Sequence, residues 1–290
     1  GVGNQRTGIK KQQLGEFAKQ LKRAKITPQA IHVYCGTGSS LLQEKKHLKK
    51  TLNAWHTYLP EVKTINLGGG FGFDYKKTNA EEKHFNWNGY FAHLKKLIRT
   101  YKIPDDVTFF LEPGRDILAD AGQMILTVKR IIEFPKRREI ATDGSFVYMP
   151  SATKKKRKHN VVFFDENFQR ITHGKTFSGK LSGSTALSSD YILPHQVSIP
   201  SDIKENQCIA VQDTGAYCAT QHMEFLNKKP CPEVLVDGEK MFLITKRGKD
   251  TDKLRYVFKK PKELLMRAED TKLYASASEY FKGPDGMKNE

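Results

Sequence analysis

Three short strand signals in the first third of the chain each follow a helical signal and each run into glycine or a charged residue at the C-terminal end. Leu14, Phe17, Ala18, Leu21 and Ala24 recur at helical spacing, and Ala30–Tyr34 then reads as a short buried strand. Ser39 or Ser40 is placed to cap a second helix carrying Leu41, Leu48, Leu52, Trp55 and Leu59, which stops before Pro60 and hands over to a strand at Val62–Leu67. A third helix, with Phe91, Leu94, Leu97 and Ile98 on one face, leads through Pro104 to a strand at Val107–Leu111. An αβ unit every 40 residues or so requires a parallel sheet, because parallel neighbours need a crossover long enough to hold a helix.

Beyond about residue 120 the pattern changes. Ile125–Ile132, Ile140–Thr142, Val161–Phe164, Ile209–Gln212, Val234–Val236 and Phe242–Ile244 are short β-branched or aromatic runs separated by Gly, Pro, Asn and Asp. The fold expected is α/β followed by all-β. Domain limits fall at 1–120, 121–262 for the β domain, and 263–290 for a polar tail in which Leu264–Met266 forms at most a helical turn and Gly283–Glu290 frays. The chain of 290 residues is 38% hydrophobic and has no apolar run approaching the ~18 residues of a membrane-spanning helix, so no membrane partner is expected.

Lys and Arg number 49 against 32 Asp and Glu, a formal +17, which invites a polyanion reading. The densest run, Lys154–Lys158, lies between strand signals without interleaved aromatics, so it reads as a solvated loop and nucleic acid is not the expected partner. His32 falls within a strand and is expected to be packed; His47, His56 and His93 fall on helix surfaces. No His-Glu-x-x-His occurs, and the four cysteines match no zinc spacing, so no metal is expected and the thiols read as reduced ones of a cytoplasmic protein.

The chemistry concentrates at the three strand ends: Tyr34-Cys35-Gly36-Thr37, Gly68-Gly69-Gly70-Phe71, and Glu112-Pro113-Gly114-Arg115. Glycines admit a phosphate to the backbone N–H groups, a hydroxyl donates to it, and Arg adds charge-assisted hydrogen bonds. A carboxylate at a strand end can hold a proton on a heterocyclic nitrogen. This ordered set, followed by Asp213-Thr214-Gly215-Ala216-Tyr217, resembles the fold type III pyridoxal-phosphate decarboxylases, which include ornithine, diaminopimelate and arginine decarboxylases. The resemblance covers about residues 5–245.

The resemblance implies the last strands of a TIM-like (β/α)8 barrel followed by a β-sandwich or barrel-like domain. It also implies pyridoxal 5'-phosphate as cofactor, an amino-acid substrate of the basic or diamino kind that loses its α-carboxylate, and a homodimer. Gly68, Gly69, Gly70, Phe71, Gly114, Arg115 and Tyr217 would surround the phosphate; Thr37 stands where the family has Ser. Tyr34 takes the place of a ring-stacking His. Glu112 would pair with the pyridinium nitrogen and is the catalytic candidate. Ser188, Asp190, His222 and Glu224 are candidate substrate contacts. Ala186 and Leu187 occupy the positions of the family's Cys and acidic residue, and Met149-Pro150 stands near a family Arg-Pro; these departures carry the alternative, a catalytically silent homologue acting as a binding or regulatory protein. The segment Asn4–Ile9 is similar to the stretch after the fifth barrel strand. This makes the chain a C-terminal piece, or one that pairs with a complementary chain, with the cofactor lysine upstream of Gly1.

Overall fold

The structure is a computed structural model and describes residues 8–77, 79–154 and 157–252. Asn4–Thr7, Lys155, Lys156 and everything expected of the polar tail lie outside the described residues. Two compact units divide the chain at Cys231 and Pro232.

The first unit begins with the αβ repeat. Helices α1 (Leu14–Arg23), α2 (Leu41–Tyr58) and α4 (Trp87–Thr100) alternate with strands β1 (Ala30–His32), β2 (Thr64–Asn66) and β3 (Thr108–Phe110), with the single-turn α3 (Ala80–Lys83) before α4. The strands are parallel in the order β1-β2-β3, with Ile31, Ile65 and Phe109 in register. Ser40 caps α2: its hydroxyl accepts from the Gln43 N–H while the Gln43 amide oxygen accepts from the Ser40 N–H at 2.8 Å. The core between helices and sheet is built from Leu48, Leu52, Trp55, Ile65, Leu67, Tyr90 and Leu94.

Several expectations need correction here. Phe91 is exposed and stacks on Trp87, while its neighbour Tyr90 takes the buried position. The strand at Ala30 is not buried: Ala30 and His32 are exposed and Ile31 is half-buried. A packed His32 fails for the same reason, because alternation puts Ala30 and His32 on the face opposite the helices. His47 and His93, expected on helix surfaces, are instead half-buried.

A short helix α5 (Arg115–Leu118) leads into six strands: β4 (Met124–Phe134), β5 (Arg137–Thr142), β6 (Val161–Phe163), β7 (Thr176–Ser182), β8 (Val197–Pro200) and β9 (Cys208–Val211). Their order is β6-β9-β4-β5-β7-β8, antiparallel except for β5 beside β7. The long β4 pairs with β9 through its first half and with β5 through its second, bending at a bulge between Val128 and Arg130. Strands β7 and β8 carry no run of β-branched residues and were not legible beforehand. Leu126, Val128, Ile140, Leu181, Ile192, Ile199 and Ile209 form this sheet's core. Phe73, Tyr75, Ala119 and Ala216 form a smaller cluster.

In the second unit, β10 (Glu233–Asp237) and β11 (Lys240–Thr245) form an antiparallel hairpin turning at Gly238, whose φ of +59° suits glycine. No helix among the described residues is long and apolar enough to cross a membrane.

Candidate active site

The ends of the three parallel strands converge. After β1, the Tyr34 hydroxyl and Thr37 Oγ1 are 2.7 Å apart. After β2, Asn66 works in two directions: its carbonyl oxygen accepts from the Gly68 N–H at 2.9 Å and its amide nitrogen donates to Glu112 Oε1 at 2.7 Å. Glu112 extends from the end of β3, and its other oxygen is 3.6 Å from His32 Nε2. The carboxylate is thereby aimed by a side chain two positions before the glycine run, while half of it stays open to a ligand.

The glycine run is required by the neighbouring backbone. A Cβ on Gly68, Gly69 or Gly70 would lie 2.1 Å from Val33 O, 2.2 Å from Glu112 O or 1.9 Å from Gly36 O. Gly70 also has φ of +99°. Among the described residues the N–H groups of Gly69 and Gly70 meet no protein acceptor, which leaves two donors for an anion.

Arg115 is nearly buried. Its NH1 donates to the Tyr75 hydroxyl at 2.8 Å, and its guanidinium lies 4.7 Å from the Tyr217 ring centroid. Tyr217 comes from the loop after β9. That loop is fixed by Thr214 N–H to Gly122 O and Gly215 N–H to Ala119 O, and by Lys83, whose ammonium donates to both Asp213 oxygens at 2.8 Å. Gly215 permits the contact, since a Cβ there would sit 2.0 Å from Leu118 O. The Tyr217 hydroxyl arrives 2.8 Å from where a Gly114 Cβ would be.

These groups surround a cleft of about 290 Å3. Tyr34, Thr37, Gly69, Gly70, Glu112, Gly114, Arg115 and Tyr217 all line it. Phe71 borders it, with its ring packed among Phe85, Trp87 and Tyr90. Gly68 stands just behind, under Asn66. The candidate substrate contacts fall elsewhere. Asp190 is buried and accepts from Phe146 N–H, Ser145 Oγ, Thr185 N–H and Thr185 Oγ1, which makes it a loop anchor. Ser188 is exposed, Glu224 is exposed, and His222 stacks on Tyr148.

Four lining residues were not foreseen as such: Gly38, Lys154, Arg157 and Gln221. The basic run therefore is not simply a solvated loop. Lys154 and Arg157 border the cleft. Asn66 and His32 were also missed. Asn66 had a signal, since an Asx residue two positions before a glycine often accepts from its backbone N–H.

A cleft that gathers free glycine N–H groups, an arginine and an oriented carboxylate, carried on parallel strand ends, has the groups that a phosphate-bearing cofactor needs. Residues 1–119 match the family model described as pyridoxal-dependent decarboxylase, pyridoxal binding domain. Over those residues the chain is similar to the pyridoxal-binding domain of the pyridoxal-dependent decarboxylases.

Its relatives include the diaminopimelate decarboxylase of Bacillus subtilis, 29% identical over 80% of this chain and 54% of that protein. That of Escherichia coli K12 is 23% identical over 85% of this chain and 60% of that protein. The structure of diaminopimelate decarboxylase from M. jannaschii in complex with L-lysine superposes with a TM-score of 0.74 at 19% identity, over 89% of this chain and 59% of that one. The arginine decarboxylase of Paramecium bursaria Chlorella virus gives 0.62 at 17%, over 77% and 57%. Over the matched residues the chain thus shares the fold of these enzymes, and it spans three-fifths or less of the length of these relatives.

Proposed function

We propose that this chain forms the phosphate- and ring-binding part of a pyridoxal-phosphate-dependent decarboxylase of a basic or diamino acid. The observation that carries this reading is Glu112, held by Asn66 at 2.7 Å in the cleft that Arg115 and Tyr217 also line. When bound, pyridoxal phosphate supplies an electron sink for the pair left behind as carbon dioxide departs. The residues of this chain position and tune it. Gly69 and Gly70 N–H groups, Arg115 and the Tyr217 hydroxyl are placed to bind the phosphate. Tyr34 packs at the rim, where its ring can cover one face of a flat heterocycle. Glu112 keeps a proton on the heterocycle nitrogen, because an anion next to that nitrogen favours its charged form.

The family's cofactor lysine has no counterpart in these residues. It would come from the two-fifths of the relatives' length that this chain does not span, in the same polypeptide or in a complementary one, within a homodimer or a paired assembly. A cytoplasmic setting belongs to the same proposal and is supported by the unbridged thiols of Cys35, Cys208 and Cys218.

The deciding experiment measures carbon dioxide released from carboxyl-labelled lysine-like and diamino acids, with the lysine-bearing barrel half supplied. Release should require pyridoxal phosphate and should fall roughly hundredfold or more with Glu112→Gln, the scale on which a single preorganised charge contact matters. Cofactor-independent release, or full activity in the Gln variant, would overturn the reading.

A further inference from the structure

We propose that Arg157 is a second guanidinium donor to the phosphate at the Arg115 end of the cleft, an assignment that rests on the cofactor reading above. Arg157 is anchored from behind: its NH1 donates to the Ser151 carbonyl at 2.7 Å and to Ser151 Oγ, and Ser151 is itself buried. Arg115 is anchored in the same manner, by NH1 to the Tyr75 hydroxyl. Among the described residues, the remaining N–H groups of both guanidiniums meet no protein acceptor and neither arginine has an ion-pair partner. Two forks are therefore fixed at one end and open at the other, both lining the same cleft.

Charge selects the ligand. The cleft is lined by Arg115, Arg157 and Lys154 and by a single carboxylate, Glu112. Two positive charges are left in excess. A carboxylate would balance one; a phosphate monoester carries about −1.5 to −2 at neutral pH and offers three acceptor oxygens, enough for two forks and the Tyr217 hydroxyl together. Burial pushes the Arg157 pKa down and the nearby Arg115 charge pushes it further in the same direction. Two partly buried like charges repel, and an anion between them relieves both. Arginine suits the position better than lysine would, since a planar fork can be held by Ser151 and still present other N–H groups.

The test uses pyridoxine 5'-phosphate and pyridoxine, which share the ring, differ only in the phosphate, and lack an aldehyde that would add to surface lysines. Each is titrated into the 290-residue chain, with Arg157→Gln and Arg157→Lys alongside and far-UV circular dichroism to confirm folding. Arg157→Gln should weaken pyridoxine 5'-phosphate roughly ten- to a hundredfold, as expected for charge-assisted hydrogen bonds, and leave pyridoxine unchanged; Arg157→Lys should fall between. Equal weakening of both compounds, or of neither, overturns the assignment. Inorganic phosphate provides an arm that does not need the ring: it should raise the melting temperature of the wild-type chain and not of Arg157→Gln. If the wild type binds neither vitamer, the cofactor reading fails, and the inorganic phosphate comparison alone then decides for or against Arg157.

Discussion

Gly70 shows how much a single side-chain atom decides. Its φ of +99° and the Gly36 carbonyl 1.9 Å from a would-be Cβ make alanine both strained and obstructed. Gly70→Ala is expected to cost about 3 kcal/mol or more, and a urea midpoint within experimental error of wild type would contradict this. His159 is the histidine whose pKa moves furthest. It is buried against Tyr75, 4.4 Å between ring centroids, with Nδ1 2.9 Å from the Gln212 carbonyl, and burial pushes its pKa down from 6.5 to about 4. The unfolded chain therefore binds a proton that the folded chain refuses. Stability from this group is complete above about 6.5 and declines as pH falls towards 4, by up to about 3 kcal/mol in all. Burial lowers His47 and His195 as well, which adds to the same slope. His84 opposes it: burial lowers its pKa, but Asp120 and Asp116 raise it further. Denaturant unfolding between pH 7 and 4 should show falling stability, with a shallower decline for His159→Gln; an identical slope in that variant would rule the assignment out.

Among the elements, α2 and the Tyr217 loop depend on polar contacts that hydrophobic patterning does not report. The Ser40 capping box satisfies N–H groups at the start of α2 that have no partner within the helix. Ser40→Ala should lower stability by about 1 kcal/mol, read from chemical denaturation. The loop carrying Tyr217 is held to α3 by the buried Lys83–Asp213 pair, at 8% and 3% exposure. Lys83→Met leaves Asp213 charged and buried, so a loss of about 3–5 kcal/mol is expected. Adding Asp213→Asn should restore part of it. If the double variant is less stable than the sum of the singles, the pair is not acting as a compensated charge pair. The placement of α2 and of the three strand ends was legible because helical spacing, Ser40, Pro60 and the glycine run sit within a few residues of one another. Strands β7 and β8 were not, because Thr176–Ser182 has little apolar content and its pairing with β5 joins residues roughly 40 positions apart.

For the molecule as a whole, +17 is a large self-repulsion. Raising the ionic strength from about 0.01 to 0.15 M shortens the screening length from about 30 to about 8 Å. The melting temperature should therefore rise over that range, and a fall would show that attractive ion pairs outweigh the net charge. Three of the basic residues, Arg115, Arg157 and Lys154, are gathered at one cleft.

The sequence alone determined the αβ repeat, the change to β structure after residue 120, and the strand-end residues Tyr34, Thr37, Glu112, Gly114, Arg115 and Tyr217 that the fold brings to one cleft. These are legible because periodicity and backbone stereochemistry act over a few residues. Tertiary structure alone decided that Asn66 aims Glu112, that Asp190 anchors a loop, and that Arg157 turns from a basic run into the cleft. Whether a charged side chain faces water or an opposing guanidinium depends on what the rest of the chain packs against it, and no local pattern encodes that neighbour.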